Sequence, residues 1–375
     1  MRILISAGEA SGDRYAAALV RSLSKRLPTA QFFGCAGPAL RAVGTEAIIR
    51  AEDLAVVGLF EVAAHLPRIH GLFRELHRTA ARRRPDLAIL TDAPDFNLRL
   101  ASKLKQAGVP VVYYVAPQVW AWRKRRIRAI RRLVDVLLVI FPFEQDYFAS
   151  RGIDAEFVGH PLCDLAKVRT SRRVFFRKHG FNTAAPLVAL LPGSRKGESS
   201  RHLPALQDAA QILRDRGLTQ VALPASNTTG KTFFEERWCG PRLRILEGET
   251  QDCVGHADVA LVASGTATVE TALLGTPMAT FYKLAWPSYY LARLLVDVPY
   301  YSMVNLLVGR PVVLECIQQE CSGEKLASEA MRLLNEEDSR CEMIEEFVGL
   351  RAALSTPVPA SDCAAEAICG RFGAS

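Results

Sequence analysis

Short apolar runs alternate with helix-length amphipathic runs along most of the 375 residues, and few patterns restrict a fold more tightly. Runs at 3–6, 32–35, 87–90, 111–115 and 136–140 are followed by runs at 187–191, 221–223, 243–246, 259–262 and 279–282. Each is short and almost continuously apolar, which reads as a strand covered on both faces. Strands alternating with helices give parallel sheets flanked by helices. Between residues 164 and 185 the pattern lapses into Lys167, Arg169, Arg172, Arg173, Arg177 and Lys178, after which a strand and a glycine turn begin again. The expected architecture is α/β, with two similar domains facing a cleft. The first spans 1–165 and the second 166–350. A helical segment over 351–375, interrupted by Pro357 and Pro359, packs on the N-terminal domain or on a partner chain.

Composition narrows the classes. No segment approaches the roughly 18 to 20 uninterrupted apolar residues of a membrane span, and the run at 136–143 is broken by Pro142. The start, Met1-Arg2-Ile3-Leu4-Ile5-Ser6, passes directly into a glycine turn, so it reads as a first strand rather than a signal peptide, and the expected compartment is the cytoplasm. Nine cysteines lack C-x-x-C pairs or histidine spacing for a metal; Cys316 and Cys321 come closest to a pattern. Residues 1–165 hold 24 Lys and Arg against 16 Asp and Glu, while the remainder holds 23 of each, so the net charge of +8 belongs to the first part. It gathers at Arg68, Arg74, Arg78, Arg82, Arg83 and Arg84, beside Leu59, Phe60, Val62, Leu66, Ile69, Leu72 and Phe73, and again from Arg123 to Arg132. Such clusters suit an anionic membrane surface or nucleic acid, or are solvated helix faces. No recognised nucleic-acid motif accompanies them.

Chemistry is expected where strands end. Thr91-Asp92-Ala93-Pro94-Asp95-Phe96-Asn97 follows a buried run, and in open parallel sheets ligands gather beyond the carboxyl ends of strands. Asp92 is therefore a candidate general base, with capping of the helix near Phe96 as the structural alternative; Asp95 is the better placed cap. Gly8-Glu9-Ala10-Ser11-Gly12-Asp13 forms the first turn, entering a helix to about Arg26. It lacks the G-x-G-x-x-G pattern. Gly8 and Gly12 let the backbone approach a ligand, Glu9 and Asp13 can accept hydrogen bonds from sugar hydroxyls, and the alternative is that Ser11 or Asp13 caps the helix. In the second half, Gly193, Ser194 and Arg195 follow a strand, and Ser264, Gly265, Thr266 and Ala267 open a helix with Glu270 one turn in. These are phosphate-binding turns by chemistry, with Arg195 a clamp and Glu270 a ribose ligand. The alternative for 264–270 is an ordinary capped helix. Trp120 and Trp122 run into Arg123 and can stack on a sugar or lie in an interface, a core position being the alternative. Asn305 and Glu315 are lesser candidates, as a loop cap and a solvated carboxylate.

Together these motifs resemble the lipid-A-disaccharide synthase family of inverting glycosyltransferases. The resemblance runs through Gly8 to Asp13, Ala55-Val56-Val57-Gly58-Leu59-Phe60-Glu61-Val62, the Asp92 stretch, Gln118 to Arg123, Phe141-Pro142-Phe143-Glu144 and Gly159-His160-Pro161. It continues through Leu191 to Arg195, Ala263 to Glu270, Asn305 to Arg310 and Gln318-Gln319-Glu320-Cys321. Val304 stands where the family usually has Pro, and Val313-Leu314-Glu315 replaces its usual Val-Pro-Glu. The resemblance implies two Rossmann-like domains in the GT-B architecture, an acceptor-binding, membrane-facing first domain and a UDP-sugar-binding second one. It implies transfer of diacylglucosamine from UDP-2,3-diacylglucosamine to 2,3-diacylglucosamine 1-phosphate, giving the β-1,6 disaccharide and UDP without a metal or cofactor. Asp92 is then the base, and Glu9, Ser11 and Gly12 lie on the acceptor or sugar side. Arg195, Ser194, Gly193, Ser264 to Ala267, Glu270 and Asn305 hold the UDP side, Asn305 against the phosphates. Arg68, Arg74, Trp120, Trp122 and Arg123 face the membrane, with peripheral attachment at the inner face of the inner membrane and dimers that exchange C-terminal segments. The competing assignment of the same architecture is the peptidoglycan N-acetylglucosaminyl transferase, expected to carry a more glycine-rich first turn with histidine.

Overall fold

The computed structural model describes residues 1–54, 59–121, 123–295 and 298–373, with the side chains of 59–66, 288, 291, 292, 294 and 295 outside the description. The chain divides into two compact units, one of residues 1–164 and 354–375, the other of residues 165–353.

The first unit carries a seven-stranded parallel sheet of β1 (Arg2–Ala7), β2 (Gln31–Ala36), β3 (Glu46–Arg50), β4 (Leu87–Thr91), β5 (Val111–Tyr114), β6 (Val136–Val139) and β7 (Ala155–Phe157), in the order β3-β2-β1-β4-β5-β6-β7. Its central strands are buried along nearly their whole length, which is why they read as continuous apolar runs. The order reverses between β1 and β4, so the chain leaves the first strand in one direction and returns to its other side. The helix Ala10–Arg26 follows β1, and the C-terminal helix Ala360–Phe372 packs on it within the same chain. Ser22 Oγ lies 3.2 Å from Ser361 Oγ, and the Asp164 carboxylate accepts the Ala360 amide at 2.9 Å.

The second unit carries a six-stranded parallel sheet of β8 (Leu187–Leu191), β9 (Gln220–Ala225), β10 (Arg244–Glu247), β11 (Val259–Ala263), β12 (Met278–Tyr282) and β13 (Leu314–Ile317), in the order β10-β9-β8-β11-β12-β13. Here the reversal falls between β8 and β11. The strands that sequence periodicity did not reveal, β3, β7 and β13, are all edge strands. Each has one unpaired side and mixed polarity, so none forms an apolar run.

The segment expected to lie in a bilayer interface is only partly described. The side chains of Leu59, Phe60, Val62 and Leu66 and the stretch 55–58 lie outside the described residues, while Leu72 and Phe73 pack against the core of the first unit. Phe73 meets Phe96 edge to face at 5.6 Å. Among the described residues no helix is long and apolar enough to cross a membrane.

Candidate active site

The turns after β1 and β4, and those after β8 and β11, stand at the reversal points of their sheets, where an open parallel sheet leaves a crevice beyond its strand ends. In the first unit β1 and β4 are direct neighbours, with Ala7 opposite Thr91, so the turns that follow them lie side by side. Asp92 Oδ1 accepts the Gly8 amide at 2.8 Å and Oδ2 the Glu9 amide at 3.2 Å. Its carboxylate thus caps not the helix that follows it, Pro94–Gln106, but the start of the helix after β1. Asp95 does not cap either. It is the second residue of its helix, whose N-cap Ala93 makes no side-chain bond, and it pairs instead with Arg123 and Arg126. Ser11 and Asp13 likewise fall inside the first helix rather than capping it. Asp13 accepts the amides of Gly37, Ala39 and Leu40 at 2.8, 2.7 and 3.2 Å, closing the start of the helix Pro38–Ala42.

The glycines of the first turn serve Asp92 rather than a ligand's approach. A Cβ at Gly12 would stand 1.6 Å from Asp92 Oδ2, and one at Gly8 would stand 2.6 Å from the Ala93 Cβ. Both Asp92 and Ala93 are left-handed, with φ of 51° and 39°. Two consecutive non-glycine residues in that region cost about 1–2 kcal/mol each, so the surroundings must hold them. Asn97, wholly buried, donates Nδ2 to the Thr91 and Asp92 carbonyls at 2.9 Å each and accepts from Ser6 Oγ at 2.7 Å. Tyr113 Oη donates to the Asp92 carbonyl at 2.6 Å. Sequence reasoning missed Asn97, Tyr113 and Ser6 as supports; the signal was a polar residue in the first helical turn and a tyrosine inside a buried strand. Burial, and then the charge of Glu9, raise the Asp92 pKa well above the ordinary carboxylate value, while the two amide bonds pull the other way.

Trp120 is 9 % exposed and is corrected from a membrane-facing residue to a core one. Its indole donates to Glu144 Oε1 at 3.0 Å and its ring packs edge-on against Phe143. The physical reason is that buried carboxylate, which satisfies the indole N–H and lets the ring leave water. Glu144 also takes the Ile140 and Phe141 amides, and burial pushes its pKa up to about 7. Trp122 lies outside the described residues. Arg68 pairs with Asp53, and Arg74 is exposed on the same helix. Glu9 is exposed at the first helix start and Ser11 is half-buried.

In the second unit β8 and β11 are neighbours, Leu191 opposite Val262, so residues 192–195 and 264–265 again follow adjacent strand ends. Gly193, Ser194 and Arg195 lead into the helix Lys196–Asp215, and Ser264 and Gly265 into Thr266–Leu273. Gly265 has a φ of 147° and open space where a Cβ would lie. With Thr266 exposed and Ala267 half-buried, the amides at this helix start can be approached. Ser264 Oγ donates to the Tyr301 carbonyl at 2.8 Å. Glu270, half-buried, accepts Gln251 Nε2 at 2.8 Å. His202, not anticipated from sequence, staples the first of these turns. Its Nδ1 donates to the Pro192 carbonyl at 2.8 Å and its Nε2 accepts the Lys283 amide at 2.9 Å. Burial lowers its pKa to about 4, so the ring is neutral.

Asn305 is corrected from a phosphate contact to a scaffold residue. It is buried, Oδ1 accepts the Val312 and Val313 amides, and Nδ2 donates to the Val313 carbonyl and to Glu315. Every hydrogen-bonding place on its amide is thereby used. Glu315 is no solvated carboxylate, since it also takes the Tyr301 and Ser302 amides and so holds the carbonyl on which Ser264 rests. The cysteines are free, and among the described residues no group of three or more His, Cys, Asp or Glu is arranged to hold a metal.

The comparisons with known proteins join this geometry to one lineage. A family profile described as lipid-A-disaccharide synthetase matches residues 3–355. The chain is 52% identical to the lipid-A-disaccharide synthase of Solibacter usitatus over 98% of this chain and 96% of that one. It is 43% identical to that of Syntrophus aciditrophicus over 98% and 97%. Among solved structures it resembles UDP-GlcNAc 2-epimerase from Neisseria meningitidis bound to UDP-GlcNAc (TM-score 0.69, 12% identity, 99% of this chain and 100% of that one). It also resembles Acinetobacter baumannii MurG (TM-score 0.57, 15% identity, 98% and 99%). These distant structures share the two-sheet GT-B fold, whereas sequence matches that span nearly the whole chain carry the narrower assignment: the chain belongs to the lipid-A-disaccharide synthetase family.

Proposed function

We propose that the chain transfers the diacylglucosaminyl group of UDP-2,3-diacylglucosamine to the 6-hydroxyl of 2,3-diacylglucosamine 1-phosphate, forming the β-1,6 lipid A disaccharide 1-phosphate and releasing UDP. The observation that carries this reading is the carboxylate of Asp92, held in a braced left-handed turn at the reversal point of its sheet. The first unit takes the acceptor and the second the UDP-sugar. Asp92 removes the proton of the 6-hydroxyl as its oxygen attacks the anomeric carbon from the face opposite UDP, which inverts that centre. A raised pKa suits the task, because a carboxylate with greater proton affinity is a stronger base. Glu9 and Ser11 lie beside it for sugar hydroxyls, and Gly12 leaves room for the base. On the donor side, Arg195 and the amides at Gly265, Thr266 and Ala267 stabilise the charge that develops on the departing diphosphate, and Glu270 holds the ribose. Gly193, Ser194 and Ser264 shape those turns.

The same reading attaches the chain peripherally to the anionic inner face of the inner membrane, in support of which Arg74, Arg78 and Arg82 recur four residues apart and exposed on the helix Leu59–Arg83. It also includes a homodimer exchanging C-terminal segments, supported by a final helix joined through Pro357 and Pro359. The test is Asp92→Asn, assayed by UDP release and by UDP binding. Turnover falls by a factor of about 10²–10⁴ with UDP affinity kept, the contribution general-base catalysis makes. Substantial residual turnover would remove Asp92 from this role.

A further inference from the structure

Arg123 and Arg126 have no part in the reaction as proposed above. We propose that these two guanidinium groups form the subsite for the anomeric phosphate of the acceptor, an inference that rests on Asp92 being the base for the acceptor hydroxyl. Both converge on Asp95. Arg123 Nη1 lies 2.8 and 2.9 Å from its two carboxylate oxygens, and Arg126 Nη2 donates to Oδ1. One carboxylate thus gathers two fixed positive charges, and the neighbouring Lys124 and Arg125 are exposed. The Asp95 side chain is 68% exposed, so the cluster opens to solvent instead of being sealed as a neutral core pair.

The cluster is tied to the base. Arg126, whose side chain is 13% exposed, stands close enough to Tyr113 for its charge to oppose the pKa rise that burial and Asp92 impose on that phenol. Tyr113 in turn donates to the Asp92 carbonyl at 2.6 Å. Asp95 is three residues from Asp92, which limits their Cα separation to about 11 Å. On a pyranose the 6-hydroxyl and the anomeric phosphate flank the ring oxygen. An acceptor with its hydroxyl at Asp92 therefore presents its phosphate no more than about one ring's width away, within reach of arginines anchored on Asp95. Two planar forks suit the oxygens of a phosphomonoester, and Asp95 keeps them oriented when no phosphate is bound.

The experiment measures UDP release by wild type, Arg126→Ala and Arg123→Ala with 2,3-diacylglucosamine 1-phosphate and with the same acceptor lacking the phosphate. With the phosphorylated acceptor each variant raises the acceptor KM about 10–100-fold, the loss of a charge-assisted hydrogen bond, and leaves the donor KM unchanged. With the dephosphorylated acceptor variants and wild type agree. Arg126→Lys, keeping charge without the fork, falls between. Equal losses on both acceptors, or no loss on either, would overturn the subsite. So would variants that lose only binding to anionic vesicles, because that would assign the cluster to a lipid headgroup. The base assignment fails separately, through turnover retained by Asp92→Asn.

Discussion

Gly12→Ala separates catalysis from folding more cleanly than any change to Asp92 itself. Alanine is the better helix former by about 1 kcal/mol, and Gly12 lies in the first turn of the helix Ala10–Arg26, so helix propensity alone favours the substitution. Its Cβ, however, would fall 1.6 Å from Asp92 Oδ2 and 2.6 Å from Cγ. Those atoms end a short side chain that can swing away. Doing so gives up the two bonds from the Gly8 and Glu9 amides, each worth about 1.5–3 kcal/mol to a charged acceptor when water does not replace it. Water does reach an exposed helix start, so the net loss is about 1–2 kcal/mol. That lowers the melting temperature of a unit this size by no more than about 8 °C. The carboxylate meanwhile moves by more than an ångström, a misplacement that costs about 10²-fold in turnover. Calorimetry and UDP-release kinetics on the same preparation are the assay, with UDP binding as the control. A folded Gly12→Ala protein with wild-type kcat would refute the claim that the first-turn glycines exist to place Asp92.

Three further outcomes follow from the geometry. With Asp92 as the proposed base, which must be deprotonated, kcat/KM rises with pH through its raised pKa; Glu9→Gln, removing the second cause of that rise, moves the acid limb to lower pH, and an unmoved limb would count against their coupling. Asn97→Ala removes a donor from the Thr91 and Asp92 carbonyls and the acceptor of the Ser6 hydroxyl, leaving Tyr113 alone on the Asp92 carbonyl, so urea unfolding should register a loss of about 2–4 kcal/mol; a loss below 1 kcal/mol would show that Tyr113 suffices to brace the turn. His202 titrates at about 4 when folded and at 6.5 when not, so the unfolded chain binds the extra proton between those values and stability falls as the pH drops through that window. The loss in the unit of residues 165–353 amounts to about 3 kcal/mol, and a His202→Gln protein with an equally steep acid profile would refute this cause.

The parts of this fold that were legible in its sequence are those in which a residue's neighbours along the chain determine its environment. A central parallel strand is covered on both faces, so β1, β4, β8 and β11 each show as an apolar run, and the turn after each is found with it. Of the four edge strands only β10 shows as a run, at 243–246, whereas the mixed polarity of β3, β7 and β13 hides them. The carboxylates show a different limit. Reading Asp92, Asp95 and Asp13 as helix caps applies the right chemistry, a carboxylate on free amides, to the nearest helix. Asp92 and Asp13 do cap helix starts, but those lie 84 and 24 residues away in sequence, brought there by the sheet. Asp95, beside the nearest start, serves two arginines instead. Gly8 and Gly12 read as openings for a ligand for the same reason, since the side chains that need their space belong to a strand end eighty or more residues on. Local sequence therefore identified the chemistry of each group and only the sheet order could supply its partner. This is also why the supports of the Asp92 turn, Asn97 and Tyr113, went unnoticed: the hydrogen bonds they donate go to backbone carbonyls, which carry no mark in the sequence.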